Sequence, residues 1–151
     1  MHLYDSAEQH ASTSEMQNKF DHVEAKNFSD ILIENKSSNS FDDVYISVDK
    51  SNTIHEIYAV SLLNASYSDC YEGIALRIVQ NFVNKYYVEF ENYEDAYKDF
   101  SVYMYETKDR GLNSFRIQCN YQYSTGGVVL QMVYQTPEIR RAINEFYNDG
   151  F

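Results

Sequence analysis

Alternating apolar and polar positions predict five β-strands. Residues 41–48 place Val44, Ile46 and Val48 on one face of an extended chain, which is the period of a half-buried strand. Residues 54–63 are apolar on both faces, as in a central strand, and the turn-forming sequence between the two segments predicts a hairpin. Three more alternating segments follow, and the short links between them favour an antiparallel meander. We place these three strands at 99–107, 114–123 and 128–135.

The helical spacing of apolar residues predicts three helices. In the first, over residues 14–26, Met16, Phe20 and Val23 are spaced at i, i+4 and i+7. The second helix begins at an N-cap residue, Asp69, and its buried stripe consists of Ile74, Ala75, Ile78, Val79, Phe82, Val83 and Tyr86. The last helix starts at Thr136-Pro137 and buries Ile139, Ala142, Ile143, Phe146 and Tyr147.

The order of these elements, α–ββ–α–βββ–α, predicts an α+β fold. We expect the five strands to form one antiparallel sheet, with the central helix packed on one face. Residues 1–12 are polar and irregular, so a flexible N-terminus is expected to precede a single domain over 13–151. The short apolar run 28–33 is either a helical turn or an edge strand, and residues 35–39 are expected to form a loop. A chain of 151 residues with 44% hydrophobic content is long enough to bury such a core.

Strand periodicity also separates a core face from a half-polar face. The predicted core face of the last three strands carries Phe100, Val102, Met104, Phe115, Ile117, Cys119, Val128, Leu130 and Met132. The other face mixes tyrosine, amide and valine side chains, which is typical of a recognition surface. Its candidate binding residues are Tyr103, Tyr105, Gln118, Asn120 and Gln131. The alternatives are an ordinary amphipathic sheet surface, a face covered by the N-terminal segment, and a homodimer interface.

Net charge narrows the classes of partner. The chain has 12 Lys and Arg against 23 Asp and Glu, a net charge of −11, which argues against binding to nucleic acid or to an anionic membrane. A negative surface speeds the encounter with a basic protein, although the same charge is consistent with a role in solubility alone. No apolar run is long enough to span a bilayer. A second candidate binding set lies in the acidic connector: Glu89, Glu91, Tyr93, Glu94 and Asp95.

The two cysteines, Cys70 and Cys119, form either one disulfide or two buried thiols. Cys70 lies on the apolar stripe of the central helix and Cys119 on the core face, so both point into one helix–sheet interface. A bond would imply an oxidising compartment, such as the periplasm or the cell exterior. Residues 1–19 lack the basic and apolar regions of a signal peptide, so either the protein is cytoplasmic, as free thiols would imply, or a signal has been removed.

Cys70 also has the setting of a catalytic nucleophile, because a helix N-terminus favours the thiolate. A cysteine at a helix start followed by a sheet resembles the arrangement in papain-like hydrolases. In those enzymes the base histidine follows the cysteine, whereas His2, His10, His22 and His55 all precede Cys70. Only a permuted order with His55 as the base would allow this chemistry, so we expect no enzyme.

The sequence contains no known metal-binding or cofactor-binding motif, so no metal or cofactor site is expected. The CxxC, HExxH and HxH patterns of metal sites and the Gly-rich phosphate loops are absent. Asp42, Asp43 and Asp49 lack the spacing and the central glycine of a calcium loop. Gly126-Gly127 is explained by a hairpin turn. Adjacent acids such as Glu94 and Asp95 could serve a glycosidase, but such pairs arise by chance among 23 acidic residues.

Together these observations predict a protein-binding module that has no catalytic role. The 15 tyrosines supply contact area and the acidic surface supplies charge. By analogy of composition, the expected function is inhibition of a basic, nucleic-acid-handling protein, as in an immunity protein or a phage-encoded anti-defence inhibitor. The alternative is an exported, disulfide-bonded domain that binds a ligand or an envelope component, and a cysteine hydrolase is the third hypothesis.

Overall fold

The computed structural model describes residues 1–34, 41–109 and 111–149. Within these ranges the chain forms three α-helices: α1 Thr13–Gln17, α2 Ala75–Tyr86 and α3 Pro137–Asp149. A 3₁₀ turn, Ala7–Gln9, precedes α1, and a π-helical segment, Asp69–Ile74, leads into α2. The strands are β1 Phe20–Asp21, β2 Ser29–Ile33, β3 Asp43–Val48, β4 Ile54–Leu63, β5 Phe90–Ala96, β6 Phe100–Thr107, β7 Ser114–Gln122 and β8 Val128–Gln135. The predicted loop 35–39 lies outside the described residues.

One antiparallel sheet contains all eight of these strands, in the order β1-β2-β3-β4-β8-β7-β6-β5. The sheet consists of two four-stranded meanders, β1–β4 and β5–β8, which meet at its centre. There β4 pairs with β8, with Glu56 opposite Gln135 at one end and Leu63 opposite Val128 at the other. The predicted hairpin and the predicted three-strand meander are confirmed. The prediction of a five-stranded sheet is wrong because the sheet has eight strands, although the broad α+β class holds.

The hydrophobic pattern misses β1 and β5, and of its two alternatives for the run 28–33 the structure has the strand, β2, although β2 lies between β1 and β3 and is not an edge. β1 is only two residues long. β2 contains three consecutive apolar residues, so its alternation is hidden in the sequence. β5 carries acidic residues on both faces, because an edge strand is held by backbone hydrogen bonds and does not need to bury a side-chain face. Periodicity detects strands through burial of one face, so β1 and β5 escape it and β2, with its unbroken apolar run, stays ambiguous.

The first helix is shorter than the predicted helix over 14–26. It begins in a capping box, in which the Glu15 amide donates to Ser12 Oγ (3.1 Å) and the Ser12 amide donates to Glu15 Oε1 (2.8 Å). The helix ends at Gln17, and Phe20 already pairs with β2. The helical spacing of Met16 and Phe20 is therefore coincidental, since pairing with β2 takes Phe20 out of the helix.

The N-terminal segment packs on one face of the first meander. Leu3 and Ala7 are buried in a core cluster with the apolar residues of β2, β3 and β4. The amide of Tyr4 donates to the Ile54 carbonyl at 2.8 Å. Residues 1–12, for which a flexible terminus was expected, thus contribute side chains and a backbone hydrogen bond to the core.

The central helix α2 covers the same face of the second meander, as predicted. Its residues Ala75 and Val79 are buried against Phe115, Ile117 and other apolar residues of β7 and β8. Of the two alternatives for Cys70 and Cys119, the structure has the disulfide, and this bond fixes the π-helical segment to β7. On the opposite face of the sheet, α3 and residues 20–24 enclose a cavity.

Candidate functional site

The sheet ends in an exposed, acidic edge strand, β5. Within the described part of the chain β5 pairs with β6 alone, so the backbone groups on its other side have no strand partner there. Every residue from Glu91 to Ala96 is exposed to solvent. The opposite edge strand, β1, has two residues. β5 is therefore the edge that is long enough to accept a further strand.

Negative charge is distributed along both faces of β5. Glu91 and Asp95 project from one face, and Tyr93 lies between them with 42% of its surface exposed. Glu94 projects from the other face, and Glu89 immediately precedes the strand with a side chain that is 84% exposed. Acidic side chains on an edge strand oppose pairing with a second copy and favour a basic segment. The predicted acidic residues thus lie together along one edge.

Stacked tyrosines connect β5 and β6 to the π-helical segment and the residues just before it. The Tyr67 hydroxyl donates to Glu94 Oε2 (2.7 Å), and the Tyr67 ring stacks on Tyr121 with centroids 5.5 Å apart. Tyr71 stacks on Tyr103 at 4.3 Å. Burial and the neighbouring Glu94 raise the pKa of Tyr67, so its phenol stays protonated and continues to donate. These rings hold the position of the acidic edge relative to the core.

The predicted strand face of Tyr103 and Tyr105 is wrong. Tyr103 lies opposite Cys119 and Tyr105 lies opposite Ile117 in the β6–β7 ladder, so both rings face α2. Tyr105 is only 8% exposed, and its hydroxyl donates to the Tyr71 carbonyl at 2.6 Å. Both faces of β6 carry large apolar or aromatic side chains, so periodicity alone could not decide which set is buried.

The predicted amide residues lie on the other face of the sheet. Gln118 is directly opposite Gln131, and its Nε2 donates to Gln131 Oε1 (2.7 Å) and to Asn120 Oδ1 (3.3 Å). The predicted patch of tyrosines and amides is therefore divided between two faces and does not form one surface. The suggestion of a homodimer through this patch loses its basis, because the β6 tyrosines face the helix. That Gln118, Asn120 and Gln131 bind a partner stays a prediction.

Cys70 is not a thiol in this structure. It is fully buried and bonded to Cys119. His55, the base that a permuted hydrolase would need, instead contacts Asp49 at 2.9 Å and Thr136 at 2.8 Å. Since the thiolate is the nucleophile in such enzymes, the hydrolase hypothesis has no reactive group in the bonded state.

A cavity of about 830 Å³ lies between the sheet, α3 and residues 20–24. Its lining includes His22, Asp30 and Glu56, whose ligand atoms all lie within 4.8 Å of one another. No sequence motif signals this cluster, because the three residues come from separate segments of the chain. The sheet register that aligns Asp30, Ser47 and Glu56 across β2, β3 and β4 brings the two carboxylates together.

The two carboxylates of this cluster share one hydroxyl group. Ser47 Oγ lies 2.5 Å from Asp30 Oδ1 and 2.9 Å from Glu56 Oε2, and its single proton goes to one of them. Glu56 also accepts from Gln135 Nε2 (2.6 Å) and His22 Nε2 (3.3 Å). Burial raises the pKa of Glu56, but these donors outweigh it and the pKa is lowered. Burial raises the pKa of Asp30, so the cluster favours ionised Glu56 beside a more readily protonated Asp30.

Comparisons with protein-family models, with curated proteins and with solved structures found no match to this chain. Among the described residues, no helix has the length and apolar character needed to traverse a lipid bilayer. The candidate sites therefore rest on geometry, burial and charge.

Proposed function

We propose that this protein is a non-enzymatic binding domain that recognises the basic surface of another protein through β5 and inhibits that protein by covering the surface. The observation that carries the proposal is the exposed acidic row Glu91–Ala96, on an edge without a strand partner among the described residues. An open edge offers main-chain hydrogen bonds to an extended segment, and acidic side chains select a segment of opposite charge.

The geometry of β5 indicates how such a segment would dock. In strand addition, main-chain hydrogen bonds contribute affinity and alternate side chains contribute specificity. Glu91 and Asp95 would contact basic side chains on one face of the added strand, and Glu94 would contact those on the other face. The Tyr67–Glu94 hydrogen bond holds the edge in place, which reduces the entropy lost when a partner binds.

A synthetic peptide of alternating lysine and valine residues tests this proposal. We expect the peptide to bind the wild-type protein at low ionic strength, to weaken as salt is added, and to shift the NMR signals of the β5 amides. A version that is N-methylated at alternate residues should bind more weakly, because it lacks the donors that pair with the edge. Replacing Glu91, Glu94 and Asp95 by lysine should abolish binding.

A matched variant separates the edge from the net charge. Replacing Glu8, Glu145 and Asp149 by lysine makes the same change of charge at exposed positions outside β5. If this control weakens binding as much as the β5 variant does, the overall field and not the edge is responsible. Binding that is insensitive to N-methylation, or absent at low ionic strength, also contradicts strand addition at β5.

A second candidate is an exported domain that binds a ligand or an envelope component. The Cys70–Cys119 disulfide favours it, because such bonds persist mainly in oxidising compartments. Mass spectrometry of protein from its native source, before and after reduction, tests the compartment. A gain of two hydrogens on reduction supports export, whereas an unchanged mass shows free thiols and supports a cytoplasmic protein.

A further inference from the structure

We propose that His22, Asp30 and Glu56 form a binding site for a divalent transition-metal cation, with Zn²⁺ as its best representative. His22 Nε2 lies 3.3 Å from Glu56 Oε2 and 3.9 Å from Asp30 Oδ1. Ligand atoms about 2.0–2.2 Å from a tetrahedral zinc ion are about 3.3–3.6 Å apart. Small rotations of the three side chains therefore suffice to place a cation between them.

The donor set selects the class of cation. One imidazole nitrogen with two carboxylate oxygens suits borderline cations, whereas Mg²⁺ and Ca²⁺ prefer sites made of oxygen alone. Three protein ligands leave a fourth position for water or for a small ligand. Because all three residues line the cavity of about 830 Å³, such a ligand has room beside the cation.

The local charge gives an independent reason for a cation at this point. The side chains of Asp30 and Glu56 are only 19% and 11% exposed and share the Ser47 hydroxyl, and Gln135 and His22 donate to Glu56 as well. Two carboxylates this close repel each other unless a proton or a cation lies between them. A divalent cation would neutralise both carboxylates and leave Ser47 free to donate to one of them.

Metal binding must change the tautomer of His22. The amide of Glu24 donates to His22 Nδ1 at 3.1 Å, so the neutral ring carries its proton on Nε2 and donates to Glu56. Coordination through Nε2 requires that proton to move to Nδ1. The Glu24 amide can then no longer donate to Nδ1, so the turn at residues 22–24 must adjust when the cation binds.

Isothermal titration of the untagged, disulfide-bonded protein with Zn²⁺ tests the proposal. We expect one site, with affinity reduced by about tenfold or more in His22→Gln and in Glu56→Gln. His10→Gln is the matched control, because His10 also lies 2.9 Å from a carboxylate, that of Asp5, but outside the cavity lining.

Three outcomes would overturn the proposal. They are no zinc binding at millimolar concentration, unchanged affinity in both cavity variants, and an equal loss of affinity in His10→Gln. Far-ultraviolet circular dichroism accompanies each titration, and His22→Gln provides the measurement if Glu56→Gln does not fold. The result is independent of the proposed function, because the cavity and β5 are separate parts of the sheet.

Discussion

Cys70 is bonded to Cys119 across the interface between the π-helical segment and β7, with the two Cα atoms 6.1 Å apart. The two residues are 49 positions apart in the sequence, so the bond closes a long loop that contains α2, β5 and β6. It joins the start of the central helix to an interior strand of the sheet. The disulfide therefore constrains the segment that positions the acidic edge.

Replacing both cysteines by serine should lower the free energy of unfolding by about 3–4 kcal/mol, because the unfolded chain regains the entropy of the open loop. Urea unfolding monitored by circular dichroism measures the change. Reduced wild-type protein should unfold at the same urea concentration as the double variant. If the oxidised protein and the variant have equal midpoints, the bond does not stabilise the fold.

Tyr105→Phe should lower the free energy of unfolding by about 1 kcal/mol, because it removes the buried hydrogen bond to the Tyr71 carbonyl. Burial, with Tyr103 close by, raises the pKa of Tyr105 to about 12 from its ordinary value of 10.0. Because the pKa is raised in the folded state, the stabilisation by this tyrosine is complete below pH 10.0 and is lost as the pH rises through about 12.

Urea unfolding of wild-type protein and Tyr105→Phe across this alkaline range measures the effect. The difference between the two proteins should shrink as the pH approaches the upper value. Tyr87→Phe is the control, since Tyr87 is 91% exposed and its substitution should change stability little at any pH. A difference that stays constant with pH would contradict ionisation of Tyr105 in this range.

The elements that the sequence predicts well are the long amphipathic ones. The hairpin β3–β4 and the meander β6–β8 bury continuous faces, and periodicity records burial. The helix that starts at Pro137 is also found, but it buries only Ile139 of its predicted stripe, and Phe146 and Tyr147 are each 48% exposed. The edge strands β1 and β5 bury little, so the same signal fails there. The face of β6 was misassigned for a related reason, because Tyr103 and Tyr105 are amphipathic and suit either side of a sheet.

The two candidate sites also differ in whether the sequence alone reveals them. The acidic residues of β5 are neighbours in sequence, so composition alone finds them. Asp30 and Glu56 become neighbours through the pairing of β2 with β3 and of β3 with β4, and the pairing of β1 with β2 brings His22 to them. No local pattern encodes that register, and a site assembled from distant segments requires the three-dimensional structure.

Asp49 should make stability depend on acid pH. Burial raises the pKa of Asp49, but the amides of Thr53 and Ser51 and the His55 ring outweigh it and lower the pKa below 3.8. A lowered folded-state pKa contributes stability above the unfolded value, and this contribution is lost as the pH falls through the folded-state pKa. Asp49→Asn should therefore cost about 1 kcal/mol near neutral pH and less below pH 3.8.

Thermal or urea unfolding of wild type and Asp49→Asn at pH values on both sides of 3.8 provides the measurement. Asp99→Asn, at an exposed position in the link between β5 and β6, serves as the control. Parallel stability curves for wild type and Asp49→Asn across this range would contradict the assigned hydrogen bonds.

Removing the charge of β5 should promote self-association. Replacing Glu91, Glu94 and Asp95 by threonine keeps the preference for extended backbone and removes the groups that oppose edge-to-edge pairing. Sedimentation velocity should show a larger species than wild type at equal concentration. The same substitution at Glu8, Glu145 and Asp149 should leave the sedimentation coefficient unchanged, and equal association of both variants would assign the effect to net charge.

Leu3→Ala should lower the free energy of unfolding by about 2–3 kcal/mol, because it opens a cavity between the N-terminal segment and the first meander. Leu3 is 8% exposed, whereas Met1, two residues earlier, is 43% exposed, so Met1→Ala should change stability by about 0.5 kcal/mol or less. Urea unfolding compares the two, and hydrogen exchange of the Tyr4 amide reports on the same docking. If Leu3→Ala unfolds with the wild-type midpoint and that amide exchanges freely, residues 1–12 are the flexible terminus expected from their polar sequence.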